Sequence, residues 1–515
     1  MEAEFSVKLP RIDVMAIRGR LLEEWLLRLA AVFPIFWAVI RARVQSITMD
    51  EANSYFGFVA RSDLWYPFPN NHILNSLLMW LSTNTFGTSA VTIRSPALLG
   101  GILYVAVCYF LCRRIVETVS IQLLIFVGLV YNPLILDYMV AARGYSLATA
   151  FLLGAIALPV WCGDGRTSRS VYRVCVLASL ALGLSFAANF SFAFADLAAF
   201  VFITTWAVTR KQGKPFPKIV ACGAPGLCVA LLICGYPLAH WNRADLTWGV
   251  QSLKQTRQNL VQSSFYRLDP RFRTSLWYRV MDSLRPRLPP LLLMLCLGRI
   301  AVMATDRSWL RDRRIRYLGV CAAALAGIIT VCVLIHWLAF RIDGLPLPVG
   351  RTGIFLLPLT TLLGATIMAM PTSSAVSRWL RVGILTVFTG IACYFLLCLR
   401  ISYFKEYQFD ADAKEAYSLL ARYNHTYGVK DVGMTGLCFA SMNYYRVMSG
   451  KETFSEFRLE QPDPPPGKSV YVMSGVDQRN FIAKEKLVVV YRGKLSDLVI
   501  AVRPNAPIPP IPLGI

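Results

Sequence analysis

The chain has 515 residues, of which 56% are apolar and 16% are charged, and its mean hydropathy is +0.49. A typical soluble domain carries about 25% charged residues, so this composition excludes a soluble enzyme, a disordered chain and a coiled coil. The net charge of +23 fits the basic cytoplasmic loops of a polytopic membrane protein better than it fits a nucleic-acid partner. We therefore expect a membrane protein that binds membrane lipids and no nucleic acid.

Eleven apolar runs predict a polytopic α-helical protein with about eleven transmembrane helices. The first run follows a basic segment, and no small-residue cleavage site comes after it, which predicts an uncleaved span with a cytoplasmic N-terminus. An odd number of spans sends the end of the chain to the opposite face. The runs cover residues 25–40, 89–112, 119–136, 146–161, 174–188, 191–208, 219–240, 288–304, 318–340, 352–370 and 381–400.

The distribution of basic residues supports this orientation, with one exception. The segments predicted to be cytoplasmic hold twenty Lys and Arg residues. Residues 241–287 are predicted to face outward, yet they hold nine basic residues against three acidic ones. Either two spans are miscounted or this segment is basic because it binds an anion, and the charges on both sides of it favour the anion.

From about residue 401 the composition becomes that of a soluble domain, with fourteen basic and twelve acidic residues in 115. Residues 410–428 have the pattern of an amphipathic helix, and three short apolar stretches between Gly and Pro turns predict buried strands. These stretches are residues 468–475, 486–493 and 497–502. We therefore predict a transmembrane domain (1–400) followed by a small extracytoplasmic α/β domain (401–515).

The loop after the first span, residues 41–88, contains an amphipathic pattern. Apolar residues recur at i, i+3, i+4 and i+7 from Ala52 to Val59, which predicts a helix lying on the outer membrane surface. Asp50 and Glu51 begin this helix, where acidic side chains favour the exposed backbone N–H groups, so one interpretation is simple capping. In the other, a carboxylate at the membrane–water boundary accepts the proton of an acceptor hydroxyl that attacks a sugar carbon.

Such a displacement at an anomeric carbon, with a phosphate leaving group and inversion of configuration, needs cations that stabilise the phosphate. Three parts of the chain offer cations at the predicted outer face: Arg143, Arg351 and the basic segment 241–287. Within that segment, the candidates to attract an anionic lipid head are Arg267, Arg271 and Arg273.

Several stretches, taken in order, resemble the GT-C glycosyltransferase superfamily. They are the Asp-Glu that opens a juxtamembrane helix, NNHILNSLL, RSPALLGGILYVAVCYFLCRR and NPLILDYMVAARGYSLA. The resemblance is to the bacterial relatives of protein O-mannosyltransferases and of the aminoarabinose transferase acting on lipid A. It covers roughly residues 20–160, continues only as topology through 400, and does not identify the tail.

The resemblance implies a glycosyltransferase of the cytoplasmic membrane. Such an enzyme moves a hexosyl or pentosyl group from a polyprenyl-phosphate donor to a hydroxyl of a glycan, lipid or protein acceptor. The active site faces the extracytoplasmic side. A rival interpretation from another class is a flippase or transporter of lipid-linked sugars, although neither repeated halves nor interrupted helices are visible in the sequence.

The resemblance also assigns residues. Asp50 matches the acidic residue of the family's first loop, the candidate base or acceptor-orienting carboxylate, and Glu51 is its partner. His72 lies where many relatives have a His-Pro-Pro-Leu motif, but the Pro-Pro is absent here, which weakens any role borrowed for His72. Arg143 and Tyr145 match an Arg-x-Tyr pattern of the group.

Each of these residues has an alternative interpretation. Asn70, Asn71 and His72 could cap the helix that begins near Ile73 or contact substrate. Arg143 could be an interfacial anchor that reaches the lipid headgroups.

Arg351 follows LPLP and lies between Gly350 and Thr352, where irregular backbone just outside a span favours a ligand contact. Asp196 lies inside an apolar run and is expected to be a buried hydrogen-bond partner.

Aromatic residues and a further histidine could form the wall of a donor pocket, although Trp and Tyr are common at both membrane interfaces. These residues are Tyr138, His336, Trp337, Trp65 and Tyr66.

No ligand pattern specifies a metal site, so we expect no cofactor and a metal-independent mechanism. A single divalent ion between carboxylate and phosphate stays open, because some relatives use one.

Overall fold

A computed structural model of the chain describes residues 14–162, 171–211, 213–266, 276–305, 312–372, 374–450, 454–459, 466–474 and 478–506. These residues form α-helices and a small β-sheet. The helices are α1 Val14–Val44, α2 Met49–Ser54, α3 Ile73–Phe86, α4 Ala90–Ile115, α5 Val119–Val130, α6 Pro133–Tyr138, α7 Tyr145–Cys162, α8 Val171–Ala188, α9 Ala193–Val208, α10 Pro215–His240, α11 Leu253–Ser264, α12 Leu276–Leu284, α13 Leu288–Thr305, α14 Arg313–Asp343, α15 Leu356–Ala369, α16 Ala375–Leu397, α17 Ala413–Tyr427, α18 Phe439–Met448 and α19 Gln478–Lys484. The strands are β1 Val432–Met434, β2 Val470–Met473, β3 Val488–Arg492 and β4 Val499–Val502.

The chain is a multi-pass membrane protein. Within the described ranges, nine helices are long and apolar enough to cross a membrane: α1, α4, α7 to α10, α13, α14 and α16. Two further apolar helices, α5 and α15, have only 12 and 14 residues. Together these eleven helices match the eleven predicted runs, so the predicted polytopic fold is confirmed.

Local sequence features explain why these two helices are shorter than the predicted runs. The predicted span 119–136 is interrupted at Asn132, whose side chain accepts a hydrogen bond from the backbone of Leu134 at 3.0 Å and so caps α6. Pro133 occupies the first position of that helix, where its missing N–H leaves no bond unmade. The run 352–370 is shortened at its start by a 3₁₀ turn at Gly350–Gly353.

The predicted amphipathic helix of the first loop is present as α2, which continues directly into a single π-helical turn at Tyr55–Val59. Its apolar face, however, is covered by protein. Ala52, Tyr55 and Val59 are buried in a cluster with residues of α3, α4 and α18. The expectation that this face lies on the membrane surface is therefore corrected.

The C-terminal region contains the predicted α/β structure. Its sheet has the order β1-β2-β4-β3, in which β1 and β2 are parallel and the other pairs are antiparallel. The helix predicted at 410–428 is α17, and the three predicted strands are β2, β3 and β4. Strand β1 was not predicted, because three residues with a central glycine give no strand pattern.

This region is docked on the segment that leads into α2. The backbone N–H of Ile47 donates to the Tyr445 hydroxyl at 2.9 Å, and that of Met49 donates to Asp410 Oδ2 at 2.7 Å. The Ser46 hydroxyl donates to the carbonyl of Ala411 at 2.8 Å. The C-terminal region and the first loop therefore lie at the same end of the helical bundle.

A buried ion pair joins three helices at this end. Arg94 of α4 donates to both carboxylate oxygens of Glu51, at 2.8 and 2.7 Å, and both side chains are fully buried. The remaining N–H groups of Arg94 donate to the carbonyls of Ala42, Gln45 and Ser46 at the end of α1, at 2.7 to 3.1 Å. The start of α2 is thereby fixed relative to α1 and α4.

Replacing Arg94 should strongly destabilise the protein. The Arg94→Leu change leaves the Glu51 carboxylate buried without its counter-charge, so we expect a loss of about 3–5 kcal/mol in the free energy of unfolding. Denaturant unfolding of the purified protein in detergent measures this loss. As a control, Lys468→Leu breaks the surface pair with Asp431 and should change the stability by less than about 1 kcal/mol. Equal stability of the two variants would contradict the structural role of the buried pair.

Candidate active site

Asp50 is the second residue of α2, and its carboxylate faces two arginines. Asp50 Oδ2 lies 3.1 Å from Arg351 Nη2 and 3.6 Å from Arg143 Nε. The Tyr407 hydroxyl donates a hydrogen bond to the same oxygen at 2.8 Å. Residues from three distant parts of the chain therefore meet at one carboxylate.

Helix capping does not account for Asp50. The N-cap of α2 is Thr48, whose hydroxyl accepts from the backbone N–H of Glu51 at 3.2 Å. The Glu51 carboxylate accepts from the backbone N–H of Thr48 at 2.9 Å, which completes a capping box. Thr48 and Glu51 thus carry out the capping, and the Asp50 side chain points to the arginines instead.

Arg143 is held between the first loop and the turn that precedes α7. Its Nη1 donates to the Ser54 hydroxyl at 2.8 Å, and its Nη2 donates to Asn70 Oδ1. Gly144 makes this turn possible, because it has a φ of +71° and a Cβ there would overlap the carbonyl oxygen of Ala188. Arg143 is 1% exposed, so it does not reach lipid headgroups and the interfacial-anchor alternative is excluded.

Arg351 lies on the 3₁₀ turn Gly350–Gly353, the irregular backbone expected from the sequence. Its Nη1 donates to Glu406 Oε1 at 2.7 Å and to the Tyr407 hydroxyl at 2.9 Å. Its guanidinium carbon lies 5.2 Å from the centre of the Trp248 ring. Arg351 therefore bridges two carboxylates and is covered on one side by an aromatic face.

Glu406 and Tyr407, which follow the last span, were not predicted from the sequence. Three contacts with the residues just before them hold this segment in place. Asp137 accepts from the backbone N–H of Lys405 at 3.0 Å, and the guanidinium carbons of Arg41 and Arg94 each lie 5.2 Å from the ring centre of Phe404. The sequence feature that could have indicated these two residues is a short polar stretch, KEYQFD, just outside a span at the predicted outer face.

His72 is buried beside this group, and neither of its ring nitrogens has a hydrogen-bond partner among the residues that the structure describes. Its side chain does not cap α3, so that alternative is not realised. Burial, together with the positive charges of Arg143 and Arg351, holds the pKa of His72 well below its usual value. The ring is therefore neutral at neutral pH and carries an acceptor nitrogen.

Two of the other predicted pocket residues, Tyr145 and Tyr138, continue an aromatic cluster that starts at His72. Tyr145 makes an edge contact with the His72 ring at 5.6 Å between centroids, and Tyr138 contacts Tyr145 at 4.6 Å. The Tyr138 hydroxyl donates to Glu406 Oε2 at 2.5 Å. Asn71 instead supports the loop, since its amide bonds the carbonyls of Leu64 and Tyr66 and the hydroxyl of Ser76.

The charges of this cluster balance within the described residues: two carboxylates, Asp50 and Glu406, face two guanidiniums, Arg143 and Arg351. Burial by itself would raise the pKa of Asp50, but the two arginines and the Tyr407 hydrogen bond outweigh it and hold that pKa below its usual value. Asp50 is therefore ionised at neutral pH.

Some predicted residues are not part of the cluster. Arg267, Arg271 and Arg273 lie outside the described residues. Asp196 is buried inside α9, with its carboxylate facing protein as expected.

His336 lies within α14 and bonds the Cys332 carbonyl of its own helix at 2.9 Å. The side chains of Trp65, Tyr66 and Trp337 are 38 to 47% exposed, which fits the interfacial alternative better than a pocket wall. Among the described residues, no three His, Cys, Asp or Glu side chains are grouped so that they could hold a metal ion.

No family model matches the chain, and no curated protein matches its sequence. Its structure resembles that of ArnT from Cupriavidus metallidurans bound to undecaprenyl phosphate, with a TM-score of 0.50 and 13% identity, over 92% of this chain and 97% of that one. The apo state of the same ArnT gives a TM-score of 0.48 and 11% identity over 94% and 98%. The mycobacterial arabinofuranosyltransferase AftD gives 0.43 and 13% over 93% of this chain and 41% of that one. The chain therefore has the fold of ArnT, and the resemblance in fold that the sequence predicted is confirmed.

Removing the Tyr407 hydroxyl should raise the pKa of Asp50. The Tyr407→Phe change deletes one of the three groups that favour the charged carboxylate, so we expect the pKa of Asp50 to rise toward its usual value. Infrared difference spectra between each protein and its Asp50→Asn derivative, recorded across pH, follow this titration. Tyr427→Phe, at the end of α17, is the matched control and should leave it unchanged. An Asp50 pKa that is the same in both variants would rule out this role of Tyr407.

Proposed function

We propose that the chain is a membrane glycosyltransferase that transfers a sugar from a polyprenyl-phosphate donor to an acceptor hydroxyl. The observation that carries this proposal is the meeting of the Asp50 carboxylate with the guanidiniums of Arg143 and Arg351. A proton acceptor and two phosphate-binding cations are the groups that a displacement with a phosphate leaving group needs. The fold is consistent with it, because the ArnT of the same fold was solved with undecaprenyl phosphate bound.

The proposed reaction is a single displacement. The acceptor oxygen forms a bond to the anomeric carbon while its proton passes to Asp50. The bond between that carbon and the phosphate oxygen breaks, and its electron pair stays on the phosphate. Arg143 and Arg351 stabilise the additional negative charge, and attack from the side opposite the leaving group inverts the configuration.

Donor binding prepares Asp50 for this step. A carboxylate whose pKa is lowered by two arginines is a weak base. When a donor phosphate takes up part of the guanidinium charge of Arg351, the positive potential at Asp50 falls and its pKa rises. The base therefore becomes stronger only when the donor is in place.

We assign Glu51 a positioning role rather than the proton transfer. Its two oxygens already accept four hydrogen bonds, from Arg94 twice and from the backbone N–H groups of Thr48 and Ala142, at 2.7 to 3.0 Å. An acceptor hydroxyl would have to displace one of these bonds inside a fully buried site.

His72, Tyr138 and Tyr145 form the side of the proposed sugar pocket. The neutral His72 ring has a free acceptor nitrogen for a sugar or acceptor hydroxyl. Aromatic faces such as those of Tyr138 and Tyr145 suit the apolar faces of a sugar ring. Arg267 and Arg271, on the basic outer segment, are proposed to attract the anionic donor head.

We place the active site and the C-terminal region on the outer face of the cytoplasmic membrane, where the C-terminal region helps to select the acceptor. The positive-inside distribution of Lys and Arg supports this orientation. Asp410 and Tyr445 of the C-terminal region contact the segment leading to Asp50, so the C-terminal region and the active site lie on the same side of the membrane.

Asp50→Asn should nearly abolish transfer without weakening donor binding. The amide keeps the shape of the side chain but cannot accept the proton, so we expect kcat to fall by about 10²–10⁴-fold. Release of free prenyl phosphate from a panel of prenyl-phosphate sugars measures turnover. Asp63→Asn is the matched control, because Asp63 is an exposed acid of the same loop. Full activity of a correctly inserted Asp50→Asn protein would remove Asp50 from the role of base, and the absence of any release by the parent would favour the flippase.

The C-terminus should be accessible from outside the cell. A protease site added after residue 515 should be cleaved in intact spheroplasts, whereas one placed at 211–214, between α9 and α10, should be protected until the membrane is opened. The reverse pattern would place the active site in the cytoplasm and contradict the proposed orientation.

A further inference from the structure

We infer that Glu406 occupies, in the donor-free site, the place on Arg351 that the donor phosphate takes, and that its return to Arg351 helps to expel the prenyl phosphate product. This inference rests on the proposed function, because it names the competitor of the proposed donor within the same site.

The first support is the contact itself. Glu406 Oε1 accepts from Arg351 Nη1 at 2.7 Å, a charge-assisted bond of the kind that a phosphate oxygen forms with the same donor. The Tyr138 hydroxyl donates to the other Glu406 oxygen at 2.5 Å. The two groups that bind the Glu406 carboxylate, the Arg351 guanidinium and the Tyr138 hydroxyl, are equally suited to bind two oxygens of a phosphate.

The second support is the charge balance. In the described residues, two carboxylates face two guanidiniums, so an entering phosphate would place a third anion among two cations. In a mostly buried site such an excess of like charge is strongly unfavourable. One carboxylate must therefore give up its arginine when the donor binds.

Glu406 is the carboxylate that can leave. The Asp50 side chain is 8% exposed and is fixed at the start of α2, whereas the Glu406 side chain is 30% exposed and lies on a segment without regular structure. The neighbours of Glu406 are anchored, since Phe404 contacts the guanidiniums of Arg41 and Arg94 and Tyr407 donates a hydrogen bond to Asp50. Rotation of the Glu406 side chain toward solvent is therefore sufficient, and the segment itself can stay in place.

The reaction makes this competition directional. The donor is a phosphodiester with one negative charge, but the product is a phosphomonoester that carries up to two. The product therefore holds the arginines more tightly than the donor does, and its release needs a replacement anion. Glu406 remains beside the site with its side chain rotated out, so it can provide that anion and restore the charge balance of the site.

The test uses the full-length protein in nanodiscs and undecaprenyl phosphate as the probe. Glu406→Gln keeps the size of the side chain but removes its charge, so it should bind the probe about tenfold more tightly than the parent does. The same change should make inhibition by the product stronger by a similar factor. Glu456→Gln, an exposed acid of the C-terminal region that pairs with Arg458, is the control and should bind as the parent does.

A second variant tests whether the effect passes through Arg351. In an Arg351→Gln background, Glu406→Gln should no longer increase the affinity, because the shared cation is absent. Equal or weaker binding by Glu406→Gln, while the parent binds the probe, would overturn this inference and leave the proposed function intact. If the parent does not bind undecaprenyl phosphate, the proposed function fails and the inference fails with it.

Discussion

The ion pair between Arg94 and Glu51 is the interaction on which the rest of the site depends. It is fully buried, and it joins the end of α1, the start of α2 and the body of α4 through hydrogen bonds that use every N–H of the guanidinium. Two adjacent acidic residues consequently have different environments. Glu51 is saturated with donors, whereas Asp50, one position earlier, faces the arginines of the cleft.

The cleft is assembled from segments that are far apart in sequence. Arg143 comes from the turn before α7, Arg351 from the turn before α15, and Glu406 and Tyr407 from the segment after α16. Each lies on irregular backbone at the end of an apolar helix, where a polar side chain can enter the site without crossing lipid. This arrangement lets a rigid bundle present a concentrated group of charges at one of its ends.

Much of this fold follows from local pattern, and the remainder does not. Apolar runs and helical periodicity locate eleven apolar helices of the described chain, α17 and three strands, because each of these signals lies within the element itself. Asp50, Arg143 and Arg351 could be assigned to one face from the alternation of spans. The contact between Tyr407 and Asp50 joins residues 357 positions apart, and no local pattern encodes it. The role of Arg94 was likewise not predicted, because its five hydrogen-bond acceptors belong to residues that are distant in sequence.

The hydrogen bonds between the C-terminal region and residues 46–49 have a practical consequence for protein engineering. A boundary drawn where hydrophobicity ends, near residue 400, would separate Tyr407 and Asp410 from the partners that they bind in the first loop. Even a boundary beyond Lys414, whose backbone N–H donates to the Ser46 hydroxyl, would remove Tyr445, which accepts a hydrogen bond from the backbone N–H of Ile47. The membrane part of the molecule is complete only with the stretch of chain that follows its last helix.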